Sequence, residues 1–129
     1  MIKIIFRGKR KDNGEWVYGW YVNKAEAKHQ IVTKEDVMPI SVHPETVGQF
    51  TGLTDKDGKE IYEGDIIQDK NGIGVIMWFQ TSWGVASYAH GYDGLKSYTA
   101  VDSFYSKETK EWSVIGNIHD NPSLLTNKE

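Results

Sequence analysis

Val47-Gly48-Gln49-Phe50-Thr51-Gly52-Leu53-Thr54-Asp55-Lys56-Asp57-Gly58-Lys59-Glu60-Ile61-Tyr62-Glu63-Gly64-Asp65-Ile66-Ile67 lies mid-chain and is the most patterned part of the sequence. Thr54 to Lys59 sets two Asp, two Lys and a Gly between apolar residues, which predicts a tight polar turn with Gly58 at positive φ. Phe50 and Leu53 precede that turn, and Ile61 and Tyr62 follow it. Gly64-Asp65 then stands directly before Ile66-Ile67, so the backbone turns sharply where a buried strand begins. The entrance to a small β-barrel or half-barrel is expected there. Asp65 reads as a structural residue whose carboxylate holds nearby backbone N–H groups.

Towards the N-terminus, Ile2, Ile4 and Phe6 alternate with Lys3 and Arg7, the period of a half-buried strand. Lys11-Asp12-Asn13-Gly14 follows, and Asn-Gly between alternating runs predicts a hairpin with a primed turn. On the return strand, Glu15 to Val22, the residues Trp16, Tyr18, Trp20 and Val22 share one face, with Val17 and Tyr21 on the other. Gly19 leaves room opposite a bulky neighbour. Asn23 to Gln30 has no apolar period and reads as a surface loop or a single helical turn. Ile31 to Thr33 and Val37 to Val42 read as short strands, the second at a sheet edge because Pro39 cannot donate to a ladder. His43 to Val47 predicts a brief helical turn with Pro44 at its first position, ended by Gly48.

Beyond the central stretch, strands are predicted at Asp65 to Gln68, Val75 to Gln80, Trp83 to Tyr88 and, more weakly, Ser97 to Tyr105. The turns between them fall at Asn71-Gly72 and His90 to Gly94, with a bulge beside Gly74. Lys107 to Glu111 is a charged loop, Trp112 to Ile118 a closing strand, and Asn121 to Leu125 a terminal helical turn capped by Asn121. The fold class is therefore mostly β. An N-terminal antiparallel β-sheet (residues 1–50) is expected to pack on a C-terminal SH3-like β-barrel (51–121), with one or two short helical turns and a C-terminal turn and tail (122–129).

Composition agrees with that class: five Trp, seven Tyr and four Phe make the apolar content bulky rather than Leu-rich. The absence of Cys excludes disulfides, thiolate nucleophiles and thiolate metal sites. Ile2 to Arg7 is too short and too alternating for a signal-peptide core, and no apolar run reaches the length of a membrane span, so a soluble protein without membrane association is expected. Net charge is −3, with +4 in residues 1–30 and −7 in residues 31–129, which places an electropositive edge on an acidic body.

Catalytic and metal chemistry find little support. Aligning Gly58 with the glycine of a calcium loop puts Leu53 and Gly64 where carboxylates are required, so Asp55-Lys56-Asp57-Gly58 reads as a plain turn. His29, His43, His90 and His119 are scattered without a zinc spacing. His119-Asp120 has the form of an oriented imidazole, yet no serine sits in a nucleophile elbow, and Gly72-x-Gly74 lacks the rest of a phosphate loop. No catalytic residue, cofactor or metal is assigned, and the expectation is a protein that is not an enzyme. One constellation has a partner-binding pattern: Arg7, Lys9, Arg10 and Lys11 beside Trp16, Tyr18 and Trp20. The cations suit phosphates and an exposed ring suits a base, while the competing reading is a solvated turn whose aromatics belong to the core.

Phe6-Arg7-Gly8, Gly14-Glu15-Trp16-Val17-Tyr18-Gly19, Val47 to Leu53, Asp57 to Ile66, and Val114 to Ile118 with Asn121-Pro122 together resemble the YopX protein family of bacteriophages and prophages. The blocks occur in the family's order and frame nearly the whole chain, except roughly Asn71 to Lys110. The resemblance implies a phage- or prophage-encoded protein of the bacterial cytoplasm with a β-rich fold, and no established activity. Two functional classes follow. The first is a non-catalytic protein-binding or adaptor module that self-associates or meets a bacterial host protein through Trp16, Tyr18, Trp20, Trp78 and Trp83. The second is a nucleic-acid-binding protein using Arg7, Lys9, Arg10 and Lys11. Self-association is expected because so many aromatics exceed what small lobes readily hide.

Overall fold

The computed structural model describes residues 5–23, 28–35, 38–70, 72–79, 82–88, 95–100 and 108–126. The expectations for Ile2, Ile4 and the turn His90 to Gly94 lie outside these residues. The chain is mostly β, in two antiparallel sheets with almost no helix. It divides into two units, residues 1–50 and 51–129.

In the first unit, β1 (Phe6–Lys9) pairs with β2 (Trp16–Asn23), β2 with β3 (His29–Val32), and β3 with β4 (Ile40–Ser41). The other side of β1 pairs with the start of β5 (Gly48–Thr54), at Phe6↔Gln49 and Arg7↔Gly48. The β1–β2 hairpin turns through a four-residue loop, closed by Gly14 N–H to Arg10 O (3.0 Å) and Arg10 N–H to Glu15 O (2.9 Å). Gly14 takes φ 77°, and Asn13 Oδ1 accepts the Glu15 N–H at 2.9 Å. Asn-Gly thus marks the right place, but as the end of a longer loop rather than as a two-residue turn.

The predicted surface loop is shorter than expected, because His29 and Gln30 belong to β3 opposite Asn23 and Val22. The Tyr21 hydroxyl hydrogen-bonds His29 Nδ1 and the two rings stack, a cross-strand pairing that hydropathy does not register. Phe6 packs on Tyr21 with ring centroids 5.5 Å apart, and Ile31 and Val42 are fully buried. Pro44–Thr46 forms one 3-10 turn with Pro at its start, as the sequence predicts. Buried Thr46 fixes it: its hydroxyl donates to His43 O at 2.6 Å and accepts the Lys9 N–H at 2.9 Å. Val42 bridges Arg10, with Lys11 N–H to Ser41 O at 3.0 Å and His43 N–H to Lys9 O at 2.9 Å. Gly48 does not end the turn into a loop but opens β5, which continues past Phe50 into the second unit.

In the second unit, β5 pairs with β6 (Glu60–Tyr62) across the turn predicted at Thr54 to Lys59, of which Thr54 still belongs to β5, and Gly58 has φ 85°. The second sheet has the order β10-β9-β8-β7-β11, from β7 (Asp65–Asp69), β8 (Gly72–Phe79), β9 (Ser82–Tyr88), β10 (Leu95–Ala100) and β11 (Ser113–Asn117). Among the described residues that order has no pairing between β10 and β11. The β7–β11 register shifts between Val114 and Gly116, and Glu108–Glu111, expected as loop, is a 3-10 turn. A four-residue helix, Ser123–Thr126, stands where the terminal helical turn is predicted. The core gathers Ile61, Ile67, Ile76 and Trp112, with Leu53 and Val114 packed against it. Each such residue contributes roughly 1.5–3 kcal/mol by leaving water.

Gly64 (φ 92°) anchors the start of β7, donating to Ile76 O and accepting from Ile118 N–H, both at 2.9 Å. Asp65 beside it is 1% exposed, and its Oδ2 accepts the Tyr62 N–H at 2.8 Å. The structural reading of Asp65 is thereby met in geometry. Asp65→Ala is expected to lower stability by about 0.5–2 kcal/mol, as for comparable side-chain caps. Chemical denaturation measures this, and an unchanged midpoint would refute it.

Candidate functional site

Alternation along β2 puts Trp16, Tyr18 and Trp20 on one face of the first unit's sheet, and the β1–β2 register sets Lys9 opposite Trp16 and Arg7 opposite Tyr18. All five side chains therefore share that face. The other face carries Phe6, Val17, Tyr21 and Ile31. Arg7 holds its guanidinium carbon 4.6 Å from the Trp16 ring centroid, and Lys9 Nζ stands 5.6 Å away, both within cation–π range. Trp16 is half-buried under them, whereas Tyr18 and Trp20 are 47% and 56% exposed. Two large rings are thus displayed side by side, with cations next to them.

The four basic residues singled out in the sequence do not act as one set. Arg7 is only 5% exposed. Arg10 is held by Asp12 through two bonds, Nε to Oδ1 at 2.9 Å and Nη2 to Oδ2 at 2.8 Å. The bond from Arg10 keeps the Asp12 carboxyl below its usual range. Lys9 is half-buried, and Lys11 is exposed on the hairpin loop. Lys11 lines a hollow of about 350 Å³ with Met38, Pro39, Ile40 and Ser41. Trp78 and Trp83 are register partners across β8 and β9.

Among the described residues no cluster of His, Asp and Glu is arranged to hold a metal ion. The Asp55 carboxylate instead serves the backbone. Its Oδ1 accepts the N–H groups of Asp57 (2.8 Å) and Lys59 (2.9 Å), and its Oδ2 accepts that of Val114 (3.0 Å). His119-Asp120 sits in a turn in which Asn117 Oδ1 accepts both of their N–H groups at 2.9 Å. Asn121 Oδ1 accepts the Asn117 N–H at 3.1 Å, so its side chain serves this turn, while its backbone carbonyl accepts the Leu124 N–H of the following helix. Among the described residues no helix is long and apolar enough to cross a membrane.

A family model described as YopX protein matches residues 5–126. The chain belongs to the YopX family. Among solved structures it is similar to the crystal structure of protein EF1440 from Enterococcus faecalis, at 24% identity and a TM-score of 0.54. That match covers 97% of this chain and 99% of the other, and it speaks to the fold alone. No curated protein matches. In this YopX chain, several residues that carry the family resemblance fix turns: Gly14, Gly58, Gly64, Asp65, Asn117 and Asn121 each occupy a special backbone position or hold one by hydrogen bonds.

Sequence reasoning found the aromatic face of β2 from its period but did not reveal that Arg7 is buried on it. Arg7 stands opposite Tyr18 with its guanidinium over the Trp16 ring and is 5% exposed, where charge alone predicts the opposite.

Proposed function

We propose that this YopX protein is a non-catalytic protein-binding or adaptor module, phage- or prophage-encoded and acting in a bacterial cytoplasm, whose binding face is the outer side of β2. The observation that carries the reading is the joint exposure of Tyr18 and Trp20 on one strand face. Aromatic residues exposed on a rigid strand are the side chains that most often anchor protein interfaces. The nucleic-acid reading loses ground on the same face, since Arg7 is buried and Arg10 is neutralised by Asp12, which leaves few cations to release counterions from a phosphate backbone. An SH3-like barrel remains the proposed description of the second unit, supported by its short strands and tight turns.

Self-association belongs to this proposal as a weak, concentration-dependent equilibrium, because a two-fold pairing of the β2 faces brings Arg7 and Lys9 of both copies together. Sedimentation velocity over a range of micromolar concentrations tests it. The wild type is expected to shift above monomer mass as concentration rises, and Trp20→Ser to remain monomeric with its stability changed by no more than about 0.5 kcal/mol. A wild type that stays monomeric throughout refutes self-association. A Trp20→Ser variant that associates equally well places the contact elsewhere.

A further inference from the structure

We propose that Asn13-Gly14, in the β1–β2 loop, is a site of self-modification at which the folded chain converts its own asparagine to aspartate and isoaspartate through a cyclic imide. The Gly14 nitrogen gives its proton to hydroxide and bonds to Asn13 Cγ. The Cγ–Nδ2 bond breaks, and Nδ2 takes a proton from water and leaves as ammonia. Water then opens the ring. Addition at Cγ breaks the new bond and leaves aspartate, whereas addition at the Asn13 backbone carbonyl carbon breaks the original peptide bond and leaves isoaspartate.

The loop geometry favours the first step. Asn13 and Gly14 are both exposed. Asn13 Oδ1 accepts the Glu15 N–H at 2.9 Å, closing a local ring that spans the Gly14 nitrogen and draws Cγ towards it. The same N–H stands on the oxygen that becomes negative as the nitrogen adds. Nothing lies within 4 Å of the place a Gly14 Cβ would take, so water and hydroxide have access. One bond opposes the reaction, from Gly14 N–H to Arg10 O at 3.0 Å, and it sits at a solvent-exposed hairpin tip, where local opening costs little.

Two other asparagines lack this arrangement. Asn117 holds its Oδ1 on the N–H groups of His119 and Asp120 and its Nδ2 on Asp120 Oδ2 at 3.2 Å, and the next nitrogen, Ile118 N, donates to Gly64 O. Asn121 precedes Pro122, which has no N–H to lose. The two products at position 13 differ in consequence. Aspartate keeps an acceptor for the Glu15 N–H, but isoaspartate runs the main chain through the former side chain and adds one backbone carbon to a four-residue loop. That loop carries Lys11, whose N–H donates to Ser41 O, so the insertion loosens the tie between the hairpin and β4.

Incubation of the full chain in mildly alkaline buffer, with and without urea, followed by peptide mapping and mass spectrometry, tests the proposal; mapping separates Asn13 from Asn71, which also precedes a glycine. Aspartate and isoaspartate are both expected at position 13, and the folded chain is expected to convert within about tenfold of the unfolded rate. Gly14→Ala, with a thermal melt to verify that it stays folded, is expected to slow conversion roughly tenfold by crowding the attacking nitrogen. In the isolated isoaspartate fraction the Lys11 amide is expected to exchange its hydrogen faster, while Asn13→Asp leaves that exchange unchanged. Conversion more than about a hundredfold slower in the folded chain than in urea would overturn the proposal. So would aspartate formed without isoaspartate, or a Gly14→Ala rate equal to wild type. Unchanged Lys11 exchange in the isoaspartate fraction would overturn the link to β4.

Discussion

Replacing Asp55 with Ala is expected to destabilise the protein by about 3–4 kcal/mol, since hydrogen bonds to a charged group contribute about 1.5–3 kcal/mol each and losses from one side chain do not add fully. Asp55 is 7% exposed, and one carboxylate satisfies three backbone donors, at Asp57, Lys59 and Val114. The first two hold the β5–β6 turn, in which Gly58 N–H donates to Asp55 O (3.0 Å) and Asp55 N–H to Lys59 O (2.8 Å). The third ties that turn to β11, alongside Lys56 N–H to Trp112 O at 3.1 Å. Alanine removes both carboxylate oxygens at once, and of the ties between this turn and the start of β11 only Lys56 N–H to Trp112 O remains. Burial alone raises the Asp55 pKa, but the N–H donors of Val114, Lys59 and Asp57, followed by the charge of Lys59, outweigh it and leave the carboxyl below 3.8. A folded-state value below the unfolded one means stability that is complete at neutral pH, starts to decline as the pH drops towards 3.8, and is gone below the folded value. Urea unfolding at a series of pH values checks both parts. Asp55→Asn should be less stable than wild type at pH 7 and flatter below pH 5, about one unit above the unfolded value. Equal acid slopes for the two proteins would remove Asp55 from the account.

The other large effect is steric. A Cβ built on Gly19 falls 2.1 Å from Val32 O, 2.8 Å from Val32 C and 3.0 Å from Thr33 Cα, all of them backbone. No rotamer change relieves such a contact, so Gly19→Ala must move the end of β3 away from β2. The Trp20↔Val32 and Tyr21↔Ile31 pairings lie directly beside it, and Ile31 is fully buried. The expected cost is about 3 kcal/mol, at the upper end of overpacking penalties because backbone rather than side chain must yield. Gly14→Ala offers a contrast: nothing lies within 4 Å of its Cβ, and only its φ of 77° opposes the change, so its cost should be about 1 kcal/mol. Thermal unfolding of the two variants side by side decides the matter. If Gly19→Ala is no worse than Gly14→Ala, the close approach of β2 and β3 is not as tight as described.

Local chemistry was legible in the sequence and distant chemistry was not. The loop at Asn13-Gly14, the Pro44 turn and the Gly58 turn depend on residues within a few positions of one another, and each stands where the sequence places it. The second role of Asp55 depends on Val114, 59 residues away, and no window over the sequence brings the two together. Strand β5 was missed between two readable turns because Gly48, Gln49, Thr51 and Gly52 hide its period; buried Thr51 earns its place through a hydroxyl bond to Ile61 O at 2.8 Å. Part of β3 was missed because His29 and Gln30 are polar. For the candidate site, period gave the shared face of Trp16, Tyr18 and Trp20, while the burial of Arg7 and the pairing of Arg10 with Asp12 come from strand pairing and from the loop's own geometry.

The bridge between Arg10 and Val42 bears on how this protein behaves at high concentration. An outermost strand ordinarily leaves a row of backbone donors and acceptors facing water, a template on which other chains add and aggregates grow. Here Ser41 O and His43 N–H, on the side of β4 away from β3, are already engaged by Lys11 N–H and Lys9 O. The hairpin loop at the far end of β1 therefore stoppers that border with the chain's own backbone. Pro39, with no N–H to offer, stands just before it. A protein that exposes two large rings on one strand face is thereby guarded, along this border, against indiscriminate pairing through its main chain.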